Sequence, residues 1–215
     1  MRRALFITIA ILLALPAIAQ ESITPEQLWT AMLQGNQQFV AGKLSYTNLK
    51  DERLLFSENQ MPPITVLACS DSRVPPELVF NQSLGALFVI RVAGNVADEL
   101  GLASIEYAIA QGYTKLIVVL GHENCGAVKA SLGTADPSTP ALKALATRIR
   151  TSFAGIPYDP KDPANVRKAV DANTRASAAQ LLAASALIRD AATTGKIKIM
   201  TAYYDLHEGT VKKVE

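Results

Sequence analysis

Two short segments hold the residue types that could bind a metal, Cys69-Ser70-Asp71-Ser72-Arg73 and Gly121-His122-Glu123-Asn124-Cys125-Gly126. Each follows an apolar run, and together they contain both cysteines and one of the two histidines of the chain. Two thiolates and an imidazole suit zinc, which takes four protein ligands in a closed structural site and keeps one position open in a catalytic one. The expected ligands are Cys69, His122 and Cys125, holding one Zn2+ per chain, with Asp71 as a conditional fourth. That set describes a metal that is open, or open on condition.

Two thiolates cancel the charge of Zn2+ and neutral His122 adds none, so the centre is a weaker Lewis acid than one held by three histidines. Asp71 on the metal would complete four ligands, make the site anionic and leave no room for water. Arg73 can hold it away, because a planar guanidinium meets a carboxylate with two parallel hydrogen bonds. The Cys-x-Asp-x-Arg spacing puts both in one loop, and Asp71 and Arg73 form the expected catalytic pair. Plainer roles, an Asx-turn for Asp71 and a structural ion pair for Arg73, are compatible with this one. Two cysteines in an exported chain also fit one disulfide, but a disulfide requires none of the residues that surround them. Ser70 and Ser72 lack the Gly-x-Ser-x-Gly elbow of a serine nucleophile. His207 reads as a solvated surface histidine rather than a proton shuttle.

Cys-Ser-Asp-Ser-Arg-Val at 69–74, Arg-Val-Ala-Gly-Asn at 91–95 and Gly-His-x-x-Cys-Gly at 121–126 resemble the signature blocks of the β-class carbonic anhydrases. The resemblance runs in order over residues 25–211. One position departs from it: Val92 stands where the family has asparagine, and it touches no expected ligand. The resemblance implies zinc-dependent, reversible hydration of CO2 to bicarbonate and a proton, hydroxide on the zinc attacking the carbon. It also implies the Asp71–Arg73 dyad and a CO2 pocket at a dimer interface. Gln60 is similar to the glutamine that hydrogen-bonds substrate there, Phe88, Ala93 and Tyr107 match pocket-wall positions, and Gly126 matches a residue that lets substrate approach the metal. From their types alone, Phe88 and Tyr107 are ordinary core residues.

The elements that must carry these residues are legible in the apolar pattern. Residues 25–42 form an amphipathic helix, with Thr24 as N-cap, Pro25 at the first helical position and Leu28, Ala31, Met32, Phe39 and Val40 on its apolar stripe. It is expected to act as an N-terminal arm packing on the body or on a partner subunit. Residues 64–68, 86–92 and 116–120 are buried strands, and 196–203, with its alternation, is a strand nearer an edge. Helical patterns cover 100–111, 141–153 and 164–194, the last long or broken, while 133–140 and 155–163 are turn-rich loops. Strands alternating with helices predict a single α/β domain, residues 20–215, with a mostly parallel central sheet flanked by helices. Zinc is then expected at the carboxyl ends of the first and third strands, where open α/β sheets bind ligands.

Residues 1–19 read as a signal peptide: Arg2 and Arg3, an apolar stretch over 4–15, and Ala17-Ile18-Ala19 before Gln20. The stretch falls short of the roughly 20 residues of a membrane span. Export to the periplasm or beyond follows, with no membrane attachment after cleavage. Removing a 19-residue leader from 215 residues leaves 196, right for one domain with a sizeable core, and takes the formal charge from +2 to zero. No basic surface then argues for nucleic acid. The expected partners are CO2 and bicarbonate and a second copy of the chain, as a homodimer or dimer of dimers. A second reading keeps the metal site but hydrolyses carbonyl sulfide or carbon disulfide; a third is a zinc-storing module without a working vacancy.

Overall fold

The computed structural model describes residues 23–46, 48–133, 137–153 and 159–215. The expected leader, its cleavage point at Gln20 and parts of the two turn-rich loops lie outside the described residues.

Five strands form one sheet in the order β2-β1-β3-β4-β5: β1 (Ile64–Ala68), β2 (Leu87–Arg91), β3 (Leu116–His122), β4 (Lys198–Tyr204) and β5 (Val211–Lys213). The first four run parallel and β5 returns antiparallel to β4. Strands β1 and β3 lie side by side with Ala68 opposite Leu120. Both are buried throughout, which is why, Thr65 apart, their sequences are apolar without alternation up to Ala68 and Leu120. The side chains still divide by the two-residue period of a strand. Val66, Ala68, Val118 and Leu120 join one apolar cluster with Phe80 and Met200, while Leu67, Ile117 and Val119 meet Ile105, Leu181 and Ile188 in another.

Eight α-helices cover the faces among the described residues: α1 (Pro25–Val40), α2 (Leu49–Leu55), α3 (Pro76–Val79), α4 (Glu99–Ala110), α5 (Gly126–Leu132), α6 (Pro140–Thr151), α7 (Pro163–Ala184) and α8 (Ala186–Thr193). α1 starts on a full capping box, Thr24 and Gln27 each satisfying the other's backbone N–H. It belongs to the body: Leu28 and Met32 are in the first cluster, and Asn36 donates to the carbonyls of Val79 and Gly209 at 3.0 and 2.8 Å. Gly35 is obligatory there, since a Cβ would come within 2.0 Å of the Phe80 carbonyl oxygen.

The long helix expected over 164–194 is broken at Ser185, whose extended backbone ends α7 and whose hydroxyl caps α8 through the Ile188 N–H. β4 lies one place in from the edge, and the edge itself is β5, a strand beyond the four expected. β3 runs two residues beyond the expected end, through Gly121 and His122, because Tyr203 and Tyr204 of β4 pair with them. No helix among the described residues is long and apolar enough to cross a membrane.

Candidate metal centre

Cys69 is the first residue after β1, and His122 is the last residue of β3. Cys125 sits at the N-cap of α5. Asn124 takes the left-handed conformation that asparagine tolerates, φ 50°, so the chain turns sharply between His122 and Cys125. A third apolar cluster, including Val96, Val128, Ile149, Ala169 and Tyr203, seats both cysteines.

The ligand atoms of Cys69, His122 and Cys125 all lie within 4.8 Å of one another, and all three residues are buried. The two sulfurs are 4.0 Å apart and both cysteines are free. A disulfide needs about 2.05 Å, whereas two thiolates on a tetrahedral zinc, each at about 2.3 Å, stand about 3.8 Å apart. His122 Nδ1 meets the Glu123 carbonyl at 2.9 Å; a carbonyl only accepts, so Nδ1 is the donor there and Nε2 is the ring nitrogen left to face the two sulfurs. Nε2 is buried without a hydrogen-bond partner. An orphaned imidazole nitrogen beside two thiols at tetrahedral spacing fits zinc, and the carbonyl behind the ring is the kind of support that metal-bound histidines use. The Cys125 thiol beside it, helped by the Gly94 amide, pulls Cys69 below the ordinary thiol range; Cys125 is pushed up for the converse reason and by burial.

Asp71 is turned away from this trio. Arg73 holds it by Nε on Oδ1 at 2.9 Å and Nη2 on Oδ2 at 2.7 Å, and the Arg73 amide adds a bond to Oδ1 at 3.0 Å. Asp71 Oδ2 remains 3.9 Å from His122 Nε2. Arg73 holds the Asp71 carboxyl well below the usual carboxylate range, so it stays ionised at any physiological pH.

Three further residues support the centre, and their types alone do not announce them. Arg91 Nε donates to the Cys69 carbonyl at 3.0 Å and its Nη2 to the Asp71 carbonyl at 2.5 Å, clamping the loop between two functional side chains. The Gly94 N–H donates to Cys69 Sγ at 3.2 Å. Gly94 has φ 68°, in the left-handed region that favours glycine, and a Cβ there would also press on the end of the Ile149 side chain at 2.8 Å. Asn173 anchors that turn by donating to the Gly94 carbonyl at 2.7 Å. Arg91 and Gly94 both lie in the quoted 91–95 block, which was the available signal. Val92, the departure within that block, lies among apolar side chains of the second and third clusters and needs no polar partner. Glu123, the other carboxylate of the two segments, accepts from the Leu206 N–H and faces His207 Nδ1 at 2.8 Å. His207 is solvent-exposed, as expected, but paired.

The expected pocket residues fall into three places. Phe88, in the outer strand β2, and Tyr107, on α4, are neighbours with ring centroids 6.3 Å apart. Ala93 lines a mostly apolar cavity of about 370 Å³ with Ala127, Leu142 and Leu145, and Gly126 is exposed beside Cys125 with open space around its Cα. Gln60 lines a cavity of about 420 Å³ with Arg53, Phe56 and Leu84, and none of Cys69, Asp71, His122 or Cys125 borders it.

The sequence profile of the carbonic anhydrase family matches residues 64–211. Carbonic anhydrase 2 of Mycobacterium tuberculosis is 33% identical over 187 residues, covering 86% of this chain and 90% of that protein. A carbonic anhydrase of Mycolicibacterium smegmatis is 46% identical over 113 residues, 52% of this chain and 55% of that one. Among solved structures, the β-carbonic anhydrase CcaA superposes with a TM-score of 0.66 at 26% identity, over 86% of each chain. The Coccomyxa β-carbonic anhydrase reaches a TM-score of 0.68 at 24% identity, over 90% of this chain and 87% of that one. A mostly parallel sheet that brings two cysteines and a histidine together at the carboxyl ends of adjacent strands defines an α/β protein with a candidate zinc site. With these matches, the chain belongs to the carbonic anhydrase family, in its β class.

Proposed function

We propose that this chain catalyses the reversible hydration of CO2 with zinc held by Cys69, His122 and Cys125, and that the Asp71–Arg73 pair keeps the fourth position available. The observation that carries this reading is the two-point grip of Arg73 on Asp71 beside an assembled cysteine–histidine trio. When bound, zinc supplies a Lewis acid that makes water a nucleophile near neutral pH. Ionised Asp71 offers an acceptor for a hydrogen of the reacting water. Arg73 keeps both carboxylate oxygens tied and short of the ligand position, Asp71 Oδ2 standing 3.9 Å from His122 Nε2. The Gly94 amide shares the negative charge of Cys69, which leaves more positive character on the metal.

The substrate pocket is proposed to form where a second copy covers β2. Leu87, Phe88 and Val89 of this outer strand are only half-buried, and Leu78 and Leu84 line an apolar cavity of about 360 Å³ beside it. An edge strand with apolar neighbours is a ready pairing surface. Two copies meeting there would bring Gln60, Phe88, Ala93, Tyr107 and Gly126 toward one pocket. One matched structure is described as a tetrameric β-carbonic anhydrase from Sordaria macrospora. The leader pattern over residues 1–19 supports export, which amino-terminal sequencing of the native protein tests: a start at Gln20 is expected and an intact Met1 would refute it.

Stopped-flow CO2 hydration by the zinc-loaded protein tests the central reading. Activity proportional to zinc content is expected, and a zinc-replete protein that leaves CO2 untouched would overturn it. Sedimentation analysis should find a dimer or larger; an active monomer would remove the shared pocket.

A further inference from the structure

Behind the metal centre, between α6 and α7, lies a small polar cleft of about 100 Å³, bordered by Arg148, Ser152, Asn173, Ser177 and Gln180. Its floor is buried, and among the described residues Arg148 is its one charged side chain. Asn173 and Ser177 are 2% and 4% exposed, and Asn173 is fixed by its bond to the Gly94 carbonyl. Among the described residues no carboxylate borders the cleft. Arg148 is partly buried there, and its guanidinium makes no ion pair or hydrogen bond among the described residues. That is a costly way to keep a cation, because a partly desolvated charge without a partner forgoes the interactions that would offset its lost hydration. The guanidinium fork, the Ser177 hydroxyl and the Gln180 amide are donors of the kind that recognise oxygen-rich anions. At about 30 Å³ per water, the space holds roughly three waters or one small anion.

We propose that this cleft binds a small oxyanion, with inorganic phosphate and sulfate as its simplest representatives. Arg148 provides the charge and the paired N–H groups, and Ser177 and Gln180 supply further donors. The site is separate from the metal position, to which it is joined through Asn173, Gly94 and the Gly94 amide bond to Cys69.

The test is calorimetric titration of the zinc-loaded protein with phosphate and, in a second arm, sulfate, at constant ionic strength set with chloride. One saturable site per chain is expected, and Arg148→Met should weaken it at least about tenfold, the loss of one charge-assisted contact. Ser177→Ala should weaken it less, and neither variant touches the zinc ligands, so zinc content should be unchanged in both. The arm whose heat disappears in Arg148→Met identifies the anion the cleft takes. Anion binding that survives Arg148→Met belongs to the metal and overturns the proposal, as does the absence of saturable binding in both arms. Should Arg148→Met unfold, Gln180→Leu at the rim provides the same discrimination. Loss of CO2 hydration with anion binding intact would count against the proposed function and leave the cleft standing.

Discussion

Arg73 and Asp71 form a forked ion pair in which both carboxylate oxygens are taken, at 2.9 and 2.7 Å, by two nitrogens of one guanidinium. Its side chain is 56% exposed, so solvent screens the attraction and its worth in stability is small. What the pair does is directional: it fixes where Asp71 cannot go.

Replacing Arg73 with alanine should therefore release Asp71 toward the metal and lower CO2 hydration by orders of magnitude while zinc content stays near that of the parent. Raising the pH should restore part of the rate, because hydroxide competes with the carboxylate for the same position. Asp71→Ala should also be impaired, with a weaker pH response, and the double variant should be no worse than Arg73→Ala. Simple additivity in stopped-flow rates would show that the pair only shapes its loop.

Zinc loading should depend on pH with a definite sign. Cys69 is already drawn toward the thiolate but Cys125 is pushed up, so metal capture near neutrality must displace a proton from Cys125. Affinity measured by chelator competition should fall as pH falls, with proton release visible in a weakly buffered titration. Cys69→Ser, His122→Ala and Cys125→Ser should each leave the purified protein with little zinc by mass spectrometry.

Arg91 is expected to matter through the backbone. Arg91→Met removes both donors to the Cys69 and Asp71 carbonyls, and with hydrogen bonds from charged groups worth about 1.5–3 kcal/mol when well buried, a loss of about 1–2 kcal/mol is expected at this exposed side chain. Urea unfolding should show that loss together with weaker zinc retention. Arg91→Lys, which keeps one arm, should recover part of both.

Gly121 is held by its surroundings, since a Cβ there would approach Thr174 Oγ1 to 2.2 Å and Val170 Cγ1 to 3.0 Å. Gly121→Ala should cost about 1–3 kcal/mol, the usual range for overpacking, and should shift His122, the next residue. Thermal unfolding with parallel zinc analysis checks both, and an unperturbed variant would show that α7 can yield.

His207 should tie a small part of the stability to pH. Glu123 raises its pKa above the ordinary imidazole value, so the contribution is fully present below the unfolded value of about 6.5 and is lost as pH rises through the higher folded value. His207→Gln should flatten the unfolding temperature between pH 6 and 8, with unchanged zinc content and hydration rate.

Much of the centre was legible because its parts are local. Asp71 and Arg73 lie two residues apart, and β1 announces itself by a β-branched, mostly apolar run, Ile64-Thr65-Val66-Leu67-Ala68. The extension of β3 was hidden because Gly121 and His122 end the apolar run, and only the neighbouring strand makes them a strand. Likewise β5, three residues of a Val-Lys-Lys segment, exists through its pairing with Ala202, Tyr203 and Tyr204. α7 was legible as a helix from Val166, Ala169, Val170 and Leu181, but not the polar middle of its inner face, where Asn173, Thr174 and Ser177 are buried. Arg91 acts on carbonyls, which every residue has, and no spacing rule names the carbonyl it will choose.

Cys69 and Cys125 stand 56 positions apart in the chain and meet only because β1 and β3 lie side by side. The intervening segment contains β2, α3 and α4, so the ligands converge after a long crossover has closed. An ion binding all three at once therefore arrives late in folding, as a latch and not as a nucleus. Metal content then reports completed assembly of the sheet, and a chain that crosses a membrane unfolded would have to find its zinc on the far side.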